Sequence, residues 1–215
     1  METTGKKEYW DKIYDTRKTN EVSWFQVYPK TSMDFISLFD LSKDAPIIDI
    51  GGGDSNFVDT LLEKNFSDIT VLDISESAIT RAKVRLGEKA FQVKWIVSDI
   101  TEFNPQRQYY FWHDRAAFHF LTSNEQVERY VEIAQKGVGD NGFLILGTFS
   151  ENGPQKCSGL EIKQYSQKSM SDKFENGFKR IKCMEENHQT PFDTVQNFLF
   201  CSFQKIDNAH KNNNL

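Results

Sequence analysis

The sequence predicts an α/β fold built on a doubly wound, mostly parallel seven-stranded sheet with an antiparallel edge strand. Three observations carry this expectation. Short apolar runs of strand length alternate with amphipathic stretches of helix length between residues 46 and 150, which is the rhythm of successive βαβ units. The first of these runs ends in a glycine-rich turn, "PIIDIGGGDSNF" at residues 46–57, just where a helix should begin. Acidic residues mark the ends of the first three strands, at the edge where open sheets of this type bind ligands.

Each element follows from its local pattern. Aromatics at helical spacing across residues 6–40 (Trp10, Tyr14, Trp24, Phe25, Phe35, Phe39) predict one or two helices leading into the core. "PIIDI" (46–50) is a short buried strand. "SNFVDTLLEKNF" (55–66) gathers Phe57, Val58, Leu61 and Leu62 on one helical face. "DITVLDI" (68–74) is the second strand. The helix at 75–88 is capped by Ser75 and stopped by Gly87. Strands are expected at 91–100 and 109–116, then a helix at 123–138 and a fifth strand at 141–150. Residues 151–177 are polar with Gly and Pro, and read as a loop with one short helix. Two closing strands, 178–188 and 196–206, are joined by a "QTPFD" turn. Residues 1–207 are read as one domain, with 1–40 as an N-terminal helical lid and 208–215 as a disordered tail.

Composition narrows the function classes. The chain has 215 residues, 38% hydrophobic, with 18 Phe and a net charge of −5, enough apolar material for a substantial core. That acidity argues against a surface that coats nucleic acid. No apolar run approaches a membrane span, and "METTGKKEYW" has no apolar signal core. Neither a nucleic-acid nor a membrane partner is expected. The three cysteines, Cys157, Cys183 and Cys201, are odd in number and lack C-x-x-C spacing. No disulfide framework and a reducing, cytoplasmic setting are expected. His113 and His119 are six apart and the other histidines are isolated, so no metal site is expected.

The glycine turn defines the candidate site. Backbone N–H groups in such a turn can approach a ligand closely. Gly51, Gly52 and Gly53 supply it, but Asn56 stands where the dinucleotide fingerprint has its third glycine. No Gly-Lys-Ser/Thr follows, so a phosphate-binding P-loop is excluded. Asp73 ends the second strand, 20 residues after Gly53. As an acceptor-only carboxylate it can take both ribose hydroxyls, with Ile74 beside it. Asp99 in "SDI" (98–100) is placed to accept from an adenine amine, and the Ile100 N–H can donate to a ring nitrogen. Asp49, before the turn, either fixes the loop by accepting its N–H groups or binds a ligand's ammonium through water.

"IIDIGGGDS", "VLDIS" and "IVSDI" resemble the first three motifs of class I S-adenosylmethionine-dependent methyltransferases, over roughly residues 46–150. The resemblance implies a Rossmann-like fold, S-adenosyl-L-methionine as cofactor, and a turn wrapped around the methionine moiety. It also implies Asp73 at the ribose and Asp99 at the adenine amine. Ser55 stands in place of the family's usual third glycine. "YWDKIY…VSWF" (9–25) is similar to a motif of elongation-factor lysine methyltransferases, which implies Trp10, Tyr14 and Trp24 bordering the cofactor. Ordinary core packing is the other reading of these aromatics. Arg115 occupies the place of a cofactor-side Lys in that family. The match covers lid and core but not residues 151–215.

Candidates for proton handling lie in "WHDRAAFHF" (112–120): Asp114 and His119. Alternatively Asp114 pairs with Arg115 to close the strand end, and His119 packs beneath Phe118 and Phe120. Cys157, Tyr165 and Ser166 either line an acceptor pocket or belong to a surface loop. The leading reading is methyl transfer to a small molecule or a protein side chain. The competing readings are an NAD-dependent oxidoreductase, which lacks a Tyr-x-x-x-Lys pair here, and a noncatalytic methyltransferase-like binding module.

Overall fold

A strand that is apolar on both faces belongs in the middle of a sheet. Ile47–Ile50 is such a strand: it forms β1, and all four residues are buried. The computed structural model describes residues 3–206; the expected tail at 208–215 lies outside them. β1 pairs in parallel with β2 (Ile69–Asp73) on one side and β4 (Tyr109–Arg115) on the other. β3 (Val93–Val97) adds to β2, and β5 (Val138–Phe149) adds to β4, both in parallel. β9 (Val195–Lys205) then runs antiparallel to β5, and β8 (Phe178–Gln189) closes the edge antiparallel to β9. The order β3-β2-β1-β4-β5-β9-β8 gives seven strands with an antiparallel pair at one edge, as expected.

Alternation along the strands feeds two cores. Ile47, Phe111 and Ile145 point to one face, where helices α2 (Lys30–Leu38) and α3 (Phe57–Glu63) pack. Ile48, Trp112 and Leu144 point to the other, under α5 (Asn124–Gly137) and α6 (Gln167–Phe174). The two remaining helices are α1 (Thr3–Thr16) and α4 (Glu76–Leu86). Ser75 caps α4 as expected, its Oγ accepting from the Ala78 N–H at 3.1 Å, and Gly87 ends it at φ +57°. α3 begins later than expected, with Asn56 as its cap residue, while the Ser55 hydroxyl accepts the Phe57 N–H at 3.1 Å.

Two features depart from expectation. The polar segment after β5 contains a small hairpin, β6 (Lys156–Cys157) and β7 (Leu160–Glu161), besides α6. Its turn residues Ser158 and Gly159 have φ of +50° and +78°. Strands of two residues are too short to show periodicity, and the Ser-Gly dipeptide was the available signal. The expectation of no disulfide is overturned: Cys183 and Cys201 are bonded. They face each other across the β8–β9 pair, a proximity that the linear spacing does not contain. Cys157 is free and buried.

Candidate functional site

The carboxyl ends of β1, β2 and β4 and the loop after β3 meet beneath α1, and two adjoining clefts open there. They share Tyr14, Trp24, Gly51 and Arg115. The first, about 800 Å³ with its open mouth, is lined also by Trp10, Asp73, Ile74, Asp99, Ile100 and Phe120. The second cleft holds Asp49, Gly52, Asp54 and His113. Gly53 lines neither; a Cβ there would meet the Asp73 carboxylate at 2.6 Å.

The turn's shape depends on glycine. Gly51 has φ +65°, and a Cβ on it would come within 2.6 Å of the Ala117 side chain. The turn is fixed from the sheet: the N–H groups of Gly51 and Gly52 donate to the Leu72 carbonyl at 2.7 and 3.3 Å. Asp49 therefore does not hold the loop through those N–H groups. Its Oδ1 instead meets His113 Nδ1 at 2.7 Å.

Both acids line the first cleft, and each has one oxygen held by a nearby backbone N–H. Asp73 Oδ1 accepts the Ser75 N–H at 2.8 Å. Burial, reinforced by Asp49 and Asp11, pushes its carboxyl up to about 7. Asp99 Oδ1 accepts from the Thr101 N–H and hydroxyl, both at 2.8 Å, while Oδ2 lies 4.0 Å from Lys6 Nζ. Lys6 is a cleft residue that sequence reasoning did not select.

α1 lies across this edge and is tied at several points. Asp11 accepts from the Ser75 hydroxyl at 2.7 Å and the Ser77 N–H at 3.2 Å, so a carboxylate sits at the positive end of α4. Arg81 donates to the carbonyls of Tyr14 and Arg17 at 2.8 and 2.7 Å, satisfying acceptors at the end of α1. Tyr9 hydroxyl bonds the Ser158 carbonyl of the β6–β7 turn. Trp10, Tyr14, Trp24 and Phe120 contact one another edge to face or tilted, with Trp10–Phe120 centroids 5.1 Å apart. The three expected aromatics are thus brought together over the cleft.

Asp114 and His119 sit behind the cleft rather than in it. Neither side chain is exposed. Asp114 accepts the N–H groups of Ala117 and Phe118, each at 3.0 Å, and the Tyr130 hydroxyl at 2.8 Å. It makes no pair with Arg115. It holds the turn in which Ala116 adopts φ +69°, a left-handed geometry that costs a non-glycine residue about 1–2 kcal/mol. Burial pushes the Asp114 carboxyl up to about 6. His119 Nδ1 accepts the Phe149 N–H at 3.3 Å, and Nε2 has no partner among the described residues. Burial, then Arg115, holds its ring down to about 3, so it is neutral. Cys157 lines the first cleft, but burial pushes its thiol up to about 12. Tyr165 is buried in the core beside Phe118, and Ser166 caps α6.

Arg115 carries the least satisfied charge of the site. Its Nη1 donates to the Trp24 carbonyl at 3.0 Å and its guanidinium lies 4.6 Å from the Phe198 ring centroid. Nε and Nη2 are buried without a partner among the described residues. Burial lowers the group to about 10, still charged at neutral pH. An unpaired buried cation is costly, and an anion in the cleft would remove that cost. No group of three or more His, Cys, Asp or Glu suited to a metal ion occurs among the described residues.

This sheet order, with a glycine turn and acids at the carboxyl ends of its strands, is the architecture of class I S-adenosylmethionine-dependent methyltransferases. The family model described as "Methyltransferase domain" matches residues 47–142, a little under half of the chain. Over 107 residues the chain is 28% identical to malonyl-(acyl-carrier protein) O-methyltransferase 2 of Ilyobacter polytropus, covering 49% of this chain and 40% of that protein. Over 98 residues it is 26% identical to the eEF1A lysine and N-terminal methyltransferase of Mus musculus, covering 46% of this chain and 14% of that one. The chain thus spans well under two thirds of these curated relatives. Among solved structures, one described as "Conversion of a Disulfide Bond into a Thioacetal Group during Echinomycin Biosynthesis" superposes with a TM-score of 0.76 at 14% identity, covering 95% of each chain. The N-methyltransferase NodS of Bradyrhizobium japonicum with S-adenosyl-l-homocysteine gives 0.69 at 14% identity, covering 94% of this chain and 98% of that one.

Proposed function

We propose that this protein transfers a methyl group from S-adenosylmethionine to a small molecule or a protein side chain. The observation that carries this reading is a pair of opposite charges at one end of the site. The Asp49 carboxylate and the half-satisfied Arg115 guanidinium both line the second cleft, with Gly51 and Gly52 beside them. An α-amino acid tail carries an ammonium and a carboxylate, which fit this pair. Asp73 and Asp99 in the adjoining cleft suit a ribose and an adenine amine, so the whole outline is that of an amino acid joined to adenosine. A dinucleotide would place a pyrophosphate where an acid stands.

The bound cofactor would supply a sulfonium methyl, which an acceptor lone pair takes as the carbon–sulfur bond gives its electrons back to sulfur. The chain's own residues hold and orient. Asp73 accepts ribose hydroxyls, Asp99 accepts the adenine amine, and the Ile100 N–H donates to the ring. Arg115 binds the carboxylate, and Trp10, Tyr14, Trp24 and Phe120 exclude water. Asp114 and His119 face away, so their part is to hold the turn, and the acceptor would arrive already nucleophilic or lose its proton to solvent. In this reading residues 1–207 act as one domain and residues 1–40 are its lid; no described helix is long and apolar enough to cross a membrane. Calorimetry with S-adenosylhomocysteine and with NAD tests the reading. Micromolar binding of the former and none of the latter is expected; tighter binding of NAD would sink it.

A further inference from the structure

Asp49 does not stand alone. It is the register partner of His113 on the neighbouring strand β4. His113 Nδ1 lies 2.7 Å from Asp49 Oδ1, and its Nε2 lies 2.8 Å from Ser32 Oγ on α2. The three groups are 2%, 2% and 1% exposed for Asp49, His113 and Ser32, and the Phe57 ring packs on the imidazole with centroids 4.2 Å apart. All three line the second cleft with Arg115 and the glycine turn.

We propose that His113 and Ser32 are positioning residues that orient the Asp49 carboxylate toward the ammonium of the cofactor's amino acid tail. This rests on the cofactor reading above. A carboxylate accepts only, so Nδ1 carries the proton shared with Asp49. Nε2 is then the acceptor, and the Ser32 hydroxyl donates to it. One tautomer satisfies every atom of the chain. The carboxylate is thereby prevented from rotating, and Oδ2 is fixed on the Gly52 side, where a Cβ would collide with it. A buried Asp–His–Ser series is a poor way to stabilise a core, because apolar groups of similar size do as well or better. Its retention at the wall of a cleft fits a task for the free oxygen. Ser32 carries no sequence signal for this role, since it lies in the first turn of α2, 81 residues from His113.

The test uses the full chain and two nucleosides: S-adenosylhomocysteine, and 5′-methylthioadenosine, which keeps the adenosine but lacks the amino acid tail. His113→Ala should weaken S-adenosylhomocysteine by about tenfold or more, the usual scale for a charged hydrogen bond, and leave 5′-methylthioadenosine within about twofold. His113→Asn, whose amide can donate from near the Nδ1 position, should restore most of the loss. Ser32→Ala should produce a smaller loss confined to S-adenosylhomocysteine. Equal losses for both nucleosides would show that the series merely shapes the cleft, and no loss would show that Asp49 does not depend on it; either result overturns the proposal. If His113→Ala does not fold, Ser32→Ala decides alone by the same contrast. Failure of the unmodified protein to bind S-adenosylhomocysteine is a distinct result: it refutes the cofactor reading and removes the basis of this one.

Discussion

Asp73 ties the cleft to pH. Its folded value of about 7 lies above the ordinary 3.8, so the folded protein binds this proton more tightly than the unfolded chain. The stability it contributes is present below about pH 4 and is lost as pH rises through about 7. Ribose hydroxyls prefer the ionised acceptor, so the affinity for S-adenosylhomocysteine should move oppositely and strengthen between pH 6 and 8. Titration calorimetry across that range checks this, and Asp73→Asn should flatten the profile. Asp73→Ala should cost cofactor binding about 1.5–3 kcal/mol; an unchanged dissociation constant would place the ribose contact elsewhere. Gly51→Val should abolish binding, because the new Cβ would strike Ala117 and force a branched residue to φ +65°. Normal binding by a folded variant would remove the turn from the site.

At the scale of elements, the decisive unit is α1. Two anchors tie it to α4 and one to the β6–β7 turn, and its aromatic face covers the cleft. These ties are only partly buried, and the segment lies outside the sheet, which places it below the central strands in local stability. Hydrogen exchange should therefore show protection of residues 9–26 that rises on adding S-adenosylhomocysteine, and by more than in residues 196–206 of β9. Equal protection with and without ligand would make it a fixed wall, and the three aromatics would cease to be a lid. Asp11→Ala removes the acceptor for two donors at the start of α4. It should speed exchange in residues 9–16 of the free protein while leaving the central strands unchanged.

For the whole molecule, the Cys183–Cys201 bond is the one covalent tie between distant parts of the chain among the described residues. It closes a separation of 18 residues at the sheet's antiparallel edge. Tying a loop of that length stabilises by roughly 2–4 kcal/mol, through the unfolded state in the simplest account. Reduction should lower the thermal midpoint without moving cofactor affinity, since neither cysteine lines a cleft; scanning calorimetry with and without reductant compares the two. The sequence alone determined the α/β class, the strand and helix alternation, and the place of the acids and glycines at the carboxyl edge of the sheet. These are local signals: periodicity reports which faces are buried, and a turn residue reports its own backbone. Asp73, Asp99 and the glycine turn were legible because each sits at the end of its own strand, where the chain order already implies the place. Only the tertiary structure decided the rest. It turned Asp114 and His119 away from the cleft, left Arg115 half-satisfied, joined Cys183 to Cys201 and set Ser32 behind His113. Those relations depend on side-chain direction and on contacts between residues far apart in sequence, which a one-dimensional pattern does not encode.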